Sequence, residues 1–181
     1  QAMRRGGPAG PPERGRWRVP LAPSLGIQRL PLGPMANFVY LLVPQGGDRL
    51  AVVDPAWEPD TIVRAAEATG RAVTDLILTH HHGDHRNAVE ALLARGAQRV
   101  WVQRAEAPWL QGTGFADQCQ WLDSGDRIDL GGGAAVTCIA TPGHTPGSQC
   151  LLCDSERGAA LLTGDTLFID GCGRCDLPGG D

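Results

Sequence analysis

The stretch LTHHHGDHRNAVEALLARG, residues 78–96, gathers four of the chain's five histidines into residues 80–85, with Asp84 among them. Imidazole and carboxylate groups at this spacing suit the binding of transition-metal ions. In an extended loop, residues two apart point the same way, so His80 and His82 can offer two imidazoles to one ion while His81 faces away. Gly83 lets the backbone turn sharply, after which Asp84 and His85 address a second point close by. One short loop thus carries ligands for two neighbouring metal positions. The plainer alternative, a solvated polar loop, does not account for four histidines at ligand spacing.

Two more segments repeat the arrangement. The fifth histidine, His144, lies in TPGHTPGS (141–148) directly after the apolar run AAVTCIA, and Asp165 lies in LLTGDTLF after a further apolar run. Three strand ends therefore each present a ligand type.

The elements that must position these residues follow from the apolar pattern. Short runs rich in Val, Ile and Leu, bounded by turn residues, read as strands at 27–32, 37–43, 49–54, 75–79, 99–103, 126–130, 134–140, 149–154 and 159–165. Helices fit residues 59–70, with Ile62, Val63 and Ala66 on one face and Gly70 at the stop, and residues 85–96, with Ala88, Val89, Leu92 and Leu93 apolar and Gly96 at the stop. Helices among strands in the first half, and hairpin-linked strands later, predict an α/β fold of packed sheets covered by helices.

The sequence has 181 residues, about the size of one domain, and a net charge of -4 with arginine as its only strong base. That balance argues against nucleic-acid or anionic-membrane partners. No apolar run approaches the roughly 18–20 residues of a membrane span. The six cysteines, with no signal peptide in view, read as reduced thiols and indicate a cytoplasmic address. Residues 1–18, rich in Pro, Gly and Arg, read as a disordered leader. The ending GRCDLPGGD reads as the middle of a loop, so the chain is expected to be a fragment.

Taken together, H-x-H-x-D-H at 80–85, G-H-T-P-G-S at 143–148 and G-D-T-L-F at 164–168 resemble the metallo-β-lactamase superfamily of metallohydrolases. GDTLFIDGCGR (164–174) narrows the resemblance to the branch of glyoxalase II (hydroxyacylglutathione hydrolase) and the persulfide dioxygenases. MANFVYLL (35–42) and VVDPA (52–56) match as well. The resemblance implies an αββα sandwich, two packed mixed sheets with helices outside, over residues 19–181 and truncated at its C-terminus. It implies that His80, His82 and His144 hold a first metal, that Asp84 and His85 serve a second, and that Asp165 bridges both. Asp54 would brace the metal loop from behind without binding metal. The family has one more histidine for the second metal, which this sequence lacks and which is expected beyond Asp181.

The leading functional expectation is a metal-dependent hydrolase of a small thioester, of the hydroxyacylglutathione type. Two zinc ions would share a water of lowered pKa, giving a hydroxide nucleophile that Asp84 helps to orient. The alternative is a persulfide dioxygenase with one Fe2+ on His80, His144 and Asp165. Where glyoxalase II has a glutathione-holding lysine with a tyrosine two residues on, this chain has Arg174 and Asp176. Arg174 is a candidate substrate-binding residue, and GCGRxD is closer to the dioxygenase pattern. The spacing C-x2-C-x18-C-x2-C (Cys150, Cys153, Cys172, Cys175) allows a non-catalytic zinc ribbon as a third reading. Against it, CLLC lies in an expected strand, where residues three apart point to opposite faces.

Overall fold

A computed structural model describes residues 25–155 and 157–181. The expected leader, residues 1–18, lies outside the described residues, as does the start of the expected domain. The hairpin of β1 (Leu25–Leu32) and β2 (Asn37–Pro44) leads into β3 (Ala51–Val53). Then follow α1 (Pro59–Glu67), β4 (Asp75–Ile77), α2 (Val89–Leu93), β5 (Arg99–Gln103), α3 (Ala107–Leu110) and β6 (Cys119–Leu122). The later part is all strand: β7 (Arg127–Gly131), β8 (Ala134–Ala140), β9 (Gln149–Ser155) and β10 (Gly158–Leu162).

The strands run in the order β6-β5-β4-β3-β2-β1-β9-β8-β7, with β10 added to β9. β3 to β6 pair in parallel, as helix-linked strands must, and β7 to β10 pair antiparallel through hairpins. The expected layering of packed mixed sheets with outer helices is what the chain adopts. Its two sheets are halves of one curled sheet, joined where Leu25 of β1 meets Ser155 of β9.

Side-chain parity explains the layers. Val39 and Leu41 of β2, Val52 of β3, Leu76 of β4 and Val100 and Val102 of β5 face one way and form a core with Ile62 and Ala66 of α1 and Val89 and Leu92 of α2. The intervening residues Leu42, Ala51, Val53 and Ile77 face the other way, against Ile128, Val136, Cys138, Leu151 and Cys153 of the second half. Because side chains alternate along a strand, both faces of the first half are buried, and its strands read as unbroken apolar runs. Among the described residues the helices cover only the outer face of that half. The outer face of the second half shows Ile139, Leu152 and Leu161 to solvent. No described helix is long and apolar enough to cross a membrane.

Three strands end earlier than their apolar runs, for a shared reason. Asp54, Thr79 and Asp165, expected as the last residues of their strands, engage their side chains in the loops, and the strands stop at Val53, Ile77 and Leu162. The helix expected over 85–96 is delayed likewise. Residues Gly83–His85 form a 3-10 turn, held by the ring of His85 on Asp54, and α2 starts only at Val89. β6 and α3, both short, have no counterpart in the sequence expectation.

Candidate metal centre

The site lies past the C-terminal ends of β3, β4 and β5, where the loops of a parallel sheet converge. Asp54, one residue beyond β3, adopts a left-handed φ of 49°, a conformation aspartate tolerates better than most residues. Its Oδ1 accepts the Thr79 backbone N–H at 2.7 Å, and its Oδ2 accepts the Thr79 hydroxyl at 2.7 Å and the His85 Nδ1–H at 2.9 Å. The buried Asp54 thereby fixes the end of β4 and turns His85 so that Nε2 faces the cluster. There Nε2 lies 3.3 Å from Asp165 Oδ1 and 3.5 Å from Asp84 Oδ2.

Hydrogen bonding also sets the tautomer of two other histidines. The Thr79 hydroxyl donates to Asp54, so it accepts from His80 Nδ1 at 3.0 Å and leaves the lone pair of His80 on Nε2. That Nε2 is buried without a hydrogen-bond partner. His144 donates from Nδ1 to the Arg174 carbonyl at 2.7 Å, which leaves its Nε2 3.0 Å from His82 Nδ1 and 3.3 Å from Asp165 Oδ2. The ligand atoms of His80, His82 and His144 lie within 4.8 Å of one another, as do those of His80, His85 and Asp165. Gly173 is a close-approach position, since a Cβ there would stand 2.8 Å from His144 Nδ1.

Electrostatics make the cluster receptive to a cation. Burial, reinforced by the surrounding imidazoles, pushes the pKa of His80 far below the usual histidine range and lowers that of His82. Neutral rings with lone pairs facing one another cannot satisfy each other without a proton or an ion. At His85 burial also opposes charge, but Asp54 and Asp165 outweigh it and raise the pKa to about 10. Burial raises the pKa of Asp165, and the hydrogen bond and charge of His85 more than reverse it. Lone-pair nitrogens on one side and carboxylates on the other form a donor set that fits divalent zinc or iron.

Of the residues singled out from the sequence, His80, His82, His85, His144 and Asp165 come together. Asp84 stands at their edge, where its Oδ2 accepts Asn37 Nδ2 at 3.0 Å. Arg174 reaches the cluster only through its backbone carbonyl; its exposed guanidinium pairs with Asp176 at 2.6 Å. His81 turns away and is buried, its ring on the Glu106 carboxylate and stacked on Trp109 at 5.0 Å. Asn37, Thr79 and Glu106 are contributors that sequence reasoning missed. Asn37 lay inside a matched segment, whereas Glu106 carried no local signal. All six cysteines are free, and no metal-ligand group among the described residues includes one. Cys138 and Cys153 lie in the core with thiol pKa values pushed up to about 12 by burial, whereas Cys172 and Cys175 are exposed.

Comparison with known proteins agrees with this geometry. The model of the metallo-beta-lactamase superfamily matches residues 32–181. A hydroxyacylglutathione hydrolase of Acidiphilium cryptum is 41% identical over 148 residues, covering 82% of this chain and 56% of that protein. A probable polyketide biosynthesis zinc-dependent hydrolase, BaeB of Bacillus velezensis, is 32% identical over 143 residues, 77% of this chain and 59% of that one. The crystal structure of ETHE1 from Myxococcus xanthus superimposes with a TM-score of 0.72 at 26% identity, over 86% of this chain and 64% of that chain. This chain thus spans little more than half the length of these curated relatives.

Proposed function

The chain belongs to the metallo-β-lactamase superfamily, and from that premise we propose that it is a metal-dependent hydrolase of small thioesters of the hydroxyacylglutathione type. The observation that carries this reading is the two-sided position of Asp165, with Oδ1 3.3 Å from His85 Nε2 and Oδ2 3.3 Å from His144 Nε2. One carboxylate facing two sets of nitrogen donors suits two adjacent ions. His80, His82 and His144 would hold the first, Asp84 and His85 the second, and Asp165 would stand between them. The similarity to a zinc-dependent hydrolase supports zinc as the metal. Bound divalent ions supply a water of lowered pKa and a Lewis acid for a carbonyl oxygen.

The chain's own groups do the rest. Asp84, held by the Asn37 amide, presents a carboxylate that accepts a hydrogen bond from the attacking water and orients it. Asp54 keeps the His85 ring in place, and the Arg174 carbonyl keeps that of His144. As the water oxygen adds to the acyl carbon, its proton passes by way of the Asp84 carboxylate to solvent. The carbon–sulfur bond breaks, and the acyl group leaves as a carboxylic acid and the sulfur as a thiolate, which needs no strong acid. The exposed Arg174 guanidinium, paired with Asp176 on the segment whose carbonyl holds His144, would exchange that partner for an anionic thiol carrier such as glutathione. Six free thiols support a cytoplasmic address.

The likeness to ETHE1 supports a second reading, a mononuclear iron dioxygenase on His80, His144 and Asp165. Metal analysis joined to product analysis separates the two. Two zinc per chain with release of free thiol from a hydroxyacylglutathione is the expected result. One iron per chain with oxygen uptake on glutathione persulfide and no thioester cleavage would overturn it.

A further inference from the structure

We propose that Glu106 is a positioning residue that sets the spacing between the two ligand-bearing loops, residues 80–85 and 143–148, and through it the affinity of the three-histidine metal position. This rests on the reading that His80, His82 and His144 hold an ion. Glu106 follows β5 and is fully buried, yet among the described residues every hydrogen bond of its carboxylate crosses to one of those loops. On one side its Oε2 accepts the His81 backbone N–H at 3.0 Å and the His81 ring Nδ1–H. On the other its Oε1 accepts the Thr145 hydroxyl at 2.8 Å and the Gly147 backbone N–H. His81 sits between two of the ligands, and Thr145 is next to the third.

The chemistry of the joint requires a carboxylate. Each carboxylate oxygen faces a backbone N–H, that of His81 on one side and that of Gly147 on the other, which can only donate, and an ionised carboxylate is an acceptor on both oxygens. Burial raises its pKa, but the bonds from His81, Thr145 and Gly147 bring it below the ordinary value. A glutamine would turn its NH2 group toward donors and break one side of the clasp. The fit is tight: at Gly147 a Cβ would stand 2.5 Å from Glu106 Cγ, so that loop must pass the carboxylate as glycine. Trp109, from the same segment, stacks on the His81 ring with planes 15° apart and braces that side again.

The clasp has a job because the loops belong to different halves of the sheet. The 3.0 Å approach of His82 Nδ1 to His144 Nε2 spans 62 residues of sequence. Cobalt and zinc titration by chelator competition tests the proposal without any turnover assay. The three-histidine position, with its three nitrogen donors, is expected to give the tight binding event and the Asp84–His85 position the weaker one. Outer partners of metal ligands are worth about 10–100-fold in affinity, and E106Q is expected to weaken the tight event by that factor. The weaker event should stay within about twofold of its original affinity, the selectivity expected of a contact beside one position only. T145V, which deletes one of the four donors and keeps the shape of the side chain, should weaken the tight event by about threefold to tenfold. T145S should restore it. If E106Q does not fold, T145V with T145S rescue decides. Tight binding unchanged in both E106Q and T145V, or in T145V alone, overturns the role of Glu106 and leaves the metal centre standing. An unaltered protein with no tight site overturns the metal reading and this inference with it.

Discussion

The two ends of the parallel strands β3 to β5 each bury a carboxylate, and they neutralise it in opposite ways. At the N-terminal end, Asp75 is fully buried and ringed by partners: Arg49 at 2.6 Å, Arg99 at 3.3 Å, Trp101 Nε1 at 2.8 Å and the Thr74 hydroxyl at 2.7 Å. Burial raises its pKa, but these contacts, Arg49 first, bring it below the usual carboxylate range. At the C-terminal end, Asp54, Asp84 and Asp165 face histidines, and no arginine pairs with any of them among the described residues. A guanidinium built into the chain cannot leave. An imidazolium can release its proton to solvent and take an incoming ion on the same nitrogen. One end is closed by permanent cations, the other left for exchangeable ones, so an acidic cluster is better judged by what neutralises it than by how many acids it holds.

Exchanging damage between the ends puts this contrast under the most strain. H82A removes a half-buried ligand and should cost thioester hydrolysis more than about hundredfold, beyond what outer partners contribute. Unfolding of the metal-free H82A protein should move by no more than about 1 kcal/mol, since the His82 ring is only half-buried. D75A should do the reverse, with a loss of about 2 kcal/mol in urea unfolding because Trp101 and the arginines lose a buried acceptor, and unchanged kcat/KM per folded molecule. Equal losses of activity in both variants would erase the distinction between the ends.

Proton exchange sharpens it. In the metal-free protein the raised pKa of His85 means that its charged pairing with Asp54 and Asp165 is fully present below the unfolded value, about 6.5, and lost only as pH rises through about 10. At pH 7 zinc must therefore displace that proton, and calorimetry in buffers of different ionisation enthalpy should detect release of about one proton per chain. Asp75 runs the other way. Its lowered pKa stabilises the fold above the unfolded value, about 3.9, and that stability disappears as pH falls through the folded one. Between pH 5 and about 3, D75N should thus lose less stability than the unaltered protein. The smallest effect belongs to R174A, where KM for an anionic thioester should rise roughly tenfold with no change in stability. An unchanged KM would return Arg174 to the ordinary surface.

Much of the candidate site was legible because its proposed ligands sit at short spacing after apolar runs. His80, His82 and His85 declare themselves within one loop, and His144 and Asp165 repeat the strand-end pattern. Asp54 was readable only through a resemblance, since its bonds reach 25 and 31 residues along the chain. Glu106 was not readable at all. Its partners lie 25, 39 and 41 residues away, and RAEAPWL carries no spacing that marks a buried acid. The alternating parity of β2 to β5 gave the strands, but the apolar runs overstated their length wherever a terminal side chain took a partner outside the ladder. The meeting of Leu25 with Ser155, which among the described residues joins two sheets into one, rests on tertiary packing that no local pattern encodes.

That seam also bears on how the molecule assembles. The histidines of the 80–85 loop belong to the first half of the curled sheet, whereas His144 and Asp165 belong to the second, and Gln149 ties them by bonding the Leu78 carbonyl at 2.7 Å. The loop closed by that contact spans 71 residues, and its entropy must be lost before any favourable term from the pocket is gained. Nucleation is therefore expected within each half, with the pocket formed after the halves meet. An ion held by the proposed ligands would then act as a rivet across the seam, slowing the reopening of the halves far more than it speeds their first meeting.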